Sequence, residues 1–139
     1  MIILDTNVLS ALMRSDPEKT VVAWLDQQPR TSIWTTSITV LEIRFGLQIM
    51  AAGRRRASLI QAFAGVLEAI EHRIIPFDFE AAERAGDLLA LRRKKGRTAE
   101  YRDTMIAGVA IAHHATLATR NVKDFDDVSI PVVNPWGDA

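Results

Sequence analysis

Short aliphatic runs alternate along the chain with longer segments whose apolar residues fall at helical spacing. Ile2-Ile3-Leu4 reads as a strand buried on both faces, and it stops at a carboxylate, a hydroxyl and an amide, Asp5-Thr6-Asn7. Val8 to Met13 is a short helix. Asp16 is placed to cap a second helix with Pro17 at its first position, and Val21, Val22, Trp24 and Leu25 supply its apolar face. Thr31 to Thr35 is β-branched and aromatic, a second strand. A helix from about Ile38 to Met50 carries apolar residues on nearly every side, which predicts deep burial. Ala51-Ala52-Gly53 and three arginines mark a break before a helix over Ala57 to Glu71. Ile74-Ile75 is a third strand, and Asp78 caps a helix that runs to about Lys95 and stops at Gly96. Thr98 to Tyr101 opens the next helix, which continues through Asp103 to His114. Thr116 to Thr119 is a fourth strand, and Ile130 to Val133 is a fifth, placed at an edge by Pro131.

Strands that alternate with helices predict a parallel sheet covered on both faces. The fold class expected is therefore α/β: a three-layer α/β/α sandwich around a mostly parallel sheet of four to five strands. No repeat or linker interrupts residues 1–139, which predicts one domain.

Composition narrows the chemistry. The chain is 48% hydrophobic and 24% charged, ordinary for a soluble globular domain. It has no cysteine, which rules out disulfides, zinc thiolates and a cysteine nucleophile. No apolar run reaches membrane-spanning length, and no basic segment precedes the first apolar residues, so the expectation is a cytoplasmic protein without a signal peptide. Seventeen basic residues balance seventeen acidic ones, so any nucleic-acid contact has to come from a local patch. Arg92, Arg93, Lys94, Lys95 and Arg97 form one such run, with a solvated helix end as the plainer reading.

The acids matter for where they fall. Asp5 ends the first strand, where it either caps the following helix or faces a ligand. Glu42 interrupts an apolar helix. Thr39-x-x-Glu42 matches a capping box, but a start at Ser37 puts Glu42 more than a turn inside the helix, where its charge needs a partner. Asp103 sits in the first turns of a small-residue, apolar helix, whose positive end favours a carboxylate, and Glu100 shares its face. Asn121 follows the fourth strand as a turn residue, with Asp124 three residues on. These positions all approach one edge of a parallel sheet. Converging carboxylates repel one another, and a hard cation relieves that; an oxygen-only donor set favours Mg²⁺ or Mn²⁺ over Zn²⁺. His113-His114 point about 100° apart on a helix and finish it rather than bind one metal.

Leu4-Asp5-Thr6-Asn7, Glu42 in Ser37-Ile38-Thr39-Val40-Leu41-Glu42, Asp103-x-x-Ile106-Ala107 and Thr119-Arg120-Asn121 with Phe125 together resemble the PIN-domain nucleases. The nearest branch is the VapC-type toxins of bacterial toxin–antitoxin pairs, and Asn134-Pro135-Trp136 resembles their FitB-like subgroup. The resemblance implies a Mg²⁺-dependent endoribonuclease, homodimeric and held inactive by a cognate antitoxin that places a basic side chain in the acidic site. It puts Asp5, Glu42 and Asp103 on the catalytic positions. Thr6 and Asn7 support the first acid, and Asn121 stands where an acid is usual, with Asp124 near enough to compensate. The reading that follows has Asp5 and Asp103 binding the metal, Glu42 orienting the attacking water, and the Arg92–Arg97 run holding the RNA backbone. The same acids also suit a DNA-directed nuclease or a phosphatase, and Asn121 motivates a catalytically weak binding module. The apolar segment from Ala51 to Ala69 is the expected seat of an antitoxin helix.

Overall fold

The computed structural model describes residues 1–98 and 100–137. Five parallel strands form the central sheet: β1 (Ile2–Leu4), β2 (Ile33–Thr36), β3 (Ile74–Ile75), β4 (Thr116–Ala118) and β5 (Val132–Val133), in the spatial order β3-β2-β1-β4-β5. β5 lies at an edge as Pro131 predicts, although it is shorter than the expected Ile130–Val133 run. The chain builds outward from β1 to β3 and then returns to the other side of β1 with β4. The carboxyl ends of β1 and β4 are thus the point where strand order reverses, which is where open α/β sheets leave a crevice.

Among the described residues, six α-helices connect the strands: α1 (Thr6–Leu12), α2 (Lys19–Asp26), α3 (Ser37–Ile49), α4 (Arg54–Ala69), α5 (Phe79–Lys94) and α6 (Tyr101–Ala112). Side chains alternate across the sheet. Ile3 and Leu117 face a core shared with Leu88, Ile106, Val109 and Phe125, while Leu4 and Ala118 face Val8, Val21, Ile33 and Ile70. These two faces make the three layers. A third cluster, Leu9, Met13, Ile43, Leu47 and Phe63, ties α1, α3 and α4 together.

Several sequence expectations change here. α2 starts at Lys19 rather than Pro17, and its cap residue is Glu18, which makes no side-chain capping bond. β2 begins two residues late because Arg30–Ser32 is a 3₁₀ turn. The three arginines do not precede α4 but form its first turn. α6 begins at Tyr101, with Glu100 as its cap, and Ala99 of the expected Thr98–Tyr101 opening lies outside the described residues. α3 is not buried all round: Leu41, Phe45 and Ile49 are 57%, 57% and 69% exposed. Their spacing of four puts them on one face, and that face has no covering neighbour among the described residues. Asp78 caps α5 as expected, its carboxylate accepting the Ala81 N–H at 3.0 Å.

α5 and α6 pack unusually close. A Cβ on Gly108 would lie 2.6 Å from the Ala81 carbonyl oxygen and 2.8 Å from the Ala85 Cβ. The small residues of α6 therefore set the interhelical distance, and with it the position of Asp103 one end of α6 carries.

Candidate active site

Register places the first acid. Leu4 lies opposite Ala118, and the Asp5 N–H donates to the Ala118 carbonyl at 2.9 Å, so Asp5 stands beside Thr119 just past the ends of β1 and β4. Both are buried, Asp5 at 3% exposure. The Thr119 hydroxyl donates to Asp5 Oδ2 at 2.7 Å and accepts the Asn121 N–H at 3.1 Å and Asn7 Nδ2 at 3.2 Å. Asp5 Oδ1 accepts the Thr6 N–H at 2.9 Å. Cap and functional group, posed as alternatives by the sequence, are one residue: Asp5 is the N-cap of α1, and Thr6 and Asn7 do not replace it in that role.

Thr6 serves the second acid. Its hydroxyl donates to Glu42 Oε1 at 2.8 Å and lies 3.0 Å from the Thr39 hydroxyl. A hydroxyl has one proton to give, so with Glu42 as its acceptor Thr6 receives the proton of Thr39. The capping-box reading of Glu42 fails. Thr36 is the N-cap of α3, its Oγ1 accepting the Thr39 N–H at 3.2 Å, and Glu42 sits in the second turn facing α1. Glu42 Oε2 is 3.7 Å from the half-exposed Arg102 guanidinium, a weak surface pair.

Asp103 arrives from α6. Glu100 caps that helix by accepting the Asp103 N–H at 3.0 Å. The Asp103 carboxylate itself is half-buried, and among the described residues no hydrogen bond moderates its charge. Burial first, then the charges of Asp5, Glu100, Glu42 and Asp124, push its pKa up to about 6. Burial likewise pushes Asp5 up, offset in part by the bonds from Thr119 and Thr6 and reinforced by Glu42 and Asp124. The fourth negative neighbour is thus Asp124, on the 3₁₀ turn Val122–Phe125. Asn121 offers its N–H to Thr119 and makes no side-chain capping bond. Arg97, Glu100, Asp103 and Asp124 share a small polar cavity of about 200 Å³.

Among the described residues no three His, Asp or Glu side chains are gathered tightly enough to make a finished ligand set. The chemistry of the donors nonetheless suits a hard cation. All are carboxylate oxygens, two are held above their ordinary pKa by burial and mutual repulsion, and the charged form of Asp103 has no donor among the described residues.

The basic run behaves differently from expectation. Arg92 is 2% exposed and points inward. Its Nε and Nη2 grip both oxygens of Asp127 at 2.8 Å, Nη2 also donates to the Asp124 carbonyl at 2.8 Å, and Nη1 donates to the Thr104 hydroxyl at 2.9 Å. Arg97 pairs with Asp126 at 2.7 Å and Asp127 at 3.3 Å. A guanidinium committed in this way cannot hold an RNA phosphate, so Arg92 is a structural residue. Arg93, Lys94 and Lys95 stay exposed. Sequence reasoning missed Thr119 and Thr39. Thr119 stood in the Thr119-Arg120-Asn121 motif and Thr39 in the capping-box match, but neither pattern assigned the hydroxyl a carboxylate to hold.

The sequence matches the PIN domain family over residues 2–131. It is 39% identical to the VapC ribonuclease Y4jK of Sinorhizobium fredii over the whole of both chains. It is 34% identical to the toxin FitB of Neisseria gonorrhoeae, covering 99% of this chain and all of that one. The fold superposes with a TM-score of 0.89 on a chain of FitAB bound to a DNA fragment, at 33% identity, covering 100% of this chain and 98% of that one. Sheet order, acids at the strand-order reversal and these likenesses agree, and the chain belongs to the PIN-domain family, in the branch that holds the VapC ribonucleases and the FitB toxin.

Proposed function

We propose that this chain is the toxin of a type II toxin–antitoxin pair, an endoribonuclease of the cytoplasm that hydrolyses RNA phosphodiester bonds with Mg²⁺ or Mn²⁺. The observation that carries the reading is the meeting of Asp5, Glu42, Asp103 and Asp124 where the strand order reverses. Asp5 and Asp103 would hold the cation, and Asp124 restores the negative charge that Asn121 lacks. When bound, such an ion stabilises charge on phosphoryl oxygens and makes water a better nucleophile.

The protein groups divide the remaining work. Thr119 and the Thr6 N–H fix Asp5 in one rotamer with both oxygens in place. The Thr39–Thr6 hydroxyl chain fixes Glu42 through Oε1, which leaves Oε2 to orient the attacking water and accept its proton. Asp103 must lose its own proton to take part, so activity falls as pH drops through about 6.

Two surfaces suit the partners of such a toxin. One cavity lies away from the acids, about 660 Å³ between the end of α1 and α4, with Leu12, Met13, Leu25, Leu59, Val66 and Ile70 in its wall. An amphipathic antitoxin helix fits an apolar groove of this kind. The exposed Leu41, Phe45 and Ile49 face of α3 suits a second copy of the chain, one residue from Glu42. Among the described residues no helix is long and apolar enough to cross a membrane.

The test uses purified, antitoxin-free protein with excess Mg²⁺ or Mn²⁺ and three substrates: RNA, DNA and a phosphomonoester. RNA alone should be cut, and Asp5→Ala should abolish cutting. Preference for DNA or the monoester would select the other hydrolase readings, and equal cleavage by wild type and variant would refute the assignment.

A further inference from the structure

We infer that the surface beside Asn7 is a nucleotide subsite, in which Arg120 and Trp136 form a stacking platform for an RNA base flanking the cut and Arg14 takes the adjoining phosphate. The inference rests on the ribonuclease reading for the course of the strand.

The geometry is specific to this corner of the molecule. The Arg120 guanidinium lies over the Trp136 ring, 4.9 Å from its centroid. The ring is half-buried against the core, and the Trp136 backbone N–H donates to Asn134 Oδ1 at 2.9 Å, which ties down the turn that carries the ring. Arg120 is exposed, and none of the ion pairs among the described residues uses Arg120 or Arg14. Both arginines and Trp136 line one cavity of about 370 Å³ with Asn7, Ser10 and Glu18. That volume falls within the ~300–1,000 Å³ typical of small-ligand pockets.

Asn7 joins this cavity to the acids. Its Nδ2 donates to Thr119 Oγ1 at 3.2 Å, and its Oδ1 accepts the Arg120 N–H at 3.1 Å. One side chain thus separates the platform from the partner of Asp5. Charge points the same way. The acid cluster alone repels a phosphate backbone, and Arg92 and Arg97, in the run expected to attract it, are engaged by Asp127 and Asp126. Among the described residues, the Asn7 cavity offers two guanidinium groups without an ion pair against one carboxylate, directly beside the acids. Unpaired bases stack on aromatic rings and on guanidinium planes, and every base has a face to offer. A stack of this kind sets where a single strand lies without demanding one base identity.

The experiment couples the protein to the base. A single-stranded RNA is made with one abasic ribose moved through the positions around the cut, and wild type, Arg120→Ala and Arg14→Ala are compared with metal present. At one flanking position, loss of the base should raise KM about tenfold for wild type, with kcat little changed. For Arg120→Ala the same loss should cost less than twofold. Arg14→Ala should reduce the salt dependence of binding by about one phosphate contact. In a second arm without metal, a 5′-phosphorylated diadenosine should quench tryptophan emission of wild type, and Trp136→Phe should remove that response. An abasic penalty equal in wild type and Arg120→Ala overturns the platform while leaving the ribonuclease reading intact. So does a penalty unchanged by a variant that instead weakens antitoxin binding, which would assign the cavity to that protein. If no RNA is cut, the ribonuclease reading fails and the dinucleotide arm decides: quenching lost in Trp136→Phe upholds the subsite, and absence of quenching overturns it.

Discussion

Replacing Asp127 by Asn should unfold this protein more readily than any change to the exposed basic residues nearby. Arg92 and Asp127 side chains are 3% and 9% exposed, and their bidentate contact has both oxygens at 2.8 Å. The substitution keeps the shape but leaves a guanidinium buried without its counter-charge. Breaking such a pair on one side costs about 3–5 kcal/mol. For a chain of this size that corresponds to a fall in Tm on the order of 10–20 °C. Part of the loss is spread, because Arg92 also holds the Asp124 carbonyl and Thr104, which anchor the turn and the helix that carry two of the acids. The pH dependence has a definite sign. The Arg92 bonds hold the Asp127 carboxyl below its ordinary 3.8. The pair's contribution is therefore complete above about pH 4 and is lost as pH falls through the depressed folded value. Urea denaturation at pH 7 and pH 3 measures both: the gap between wild type and variant should be large at pH 7 and narrow in acid. A gap under 1 kcal/mol at pH 7, or one that does not change with pH, would refute the reasoning and return Arg92 to the surface role first expected of it.

Thr119→Val keeps the volume but removes the donor to Asp5 Oδ2 and the acceptor for the Asn121 N–H, which should cost about 1.5–3 kcal/mol in metal-free denaturation, chiefly for the lost hydrogen bond to a buried carboxylate. Gly108→Ala should destabilise by about 1–3 kcal/mol despite the better helix former, because the new methyl meets backbone at 2.6 Å; equal or higher Tm would contradict the close α5–α6 packing. Mg²⁺ affinity measured by calorimetry should rise about tenfold per pH unit below pH 6 and level off above it, as Asp103 must release a proton to bind; a flat profile would show that Asp103 is not a ligand. In the metal-free protein the same raised pKa makes the fold less stable as pH rises from about 4 to 6, and Asp103→Asn should remove that decline.

The sequence by itself determined the layers. Ile2-Ile3-Leu4, Ile74-Ile75 and Thr116-Leu117-Ala118 are legible because a buried parallel strand is short and apolar, and the helices between them are legible from their spacing. It also offered Asp5, Glu42 and Asp103 as candidates, because carboxylates in apolar settings are conspicuous. Only the tertiary structure decided what each one touches. Strand register put Thr119 beside Asp5, and helix α1 brought Thr6 to Glu42 across 36 residues, contacts that no local pattern encodes. Local reading also misjudged exposure. Leu41, Phe45 and Ile49 lie in an apolar helix yet face outward, while Arg92 lies in a basic run yet faces inward. Burial depends on which neighbours the whole fold supplies: Asp127, Thr104 and the Asp124 carbonyl make a buried charge tolerable for Arg92, and nothing among the described residues covers the outer face of α3.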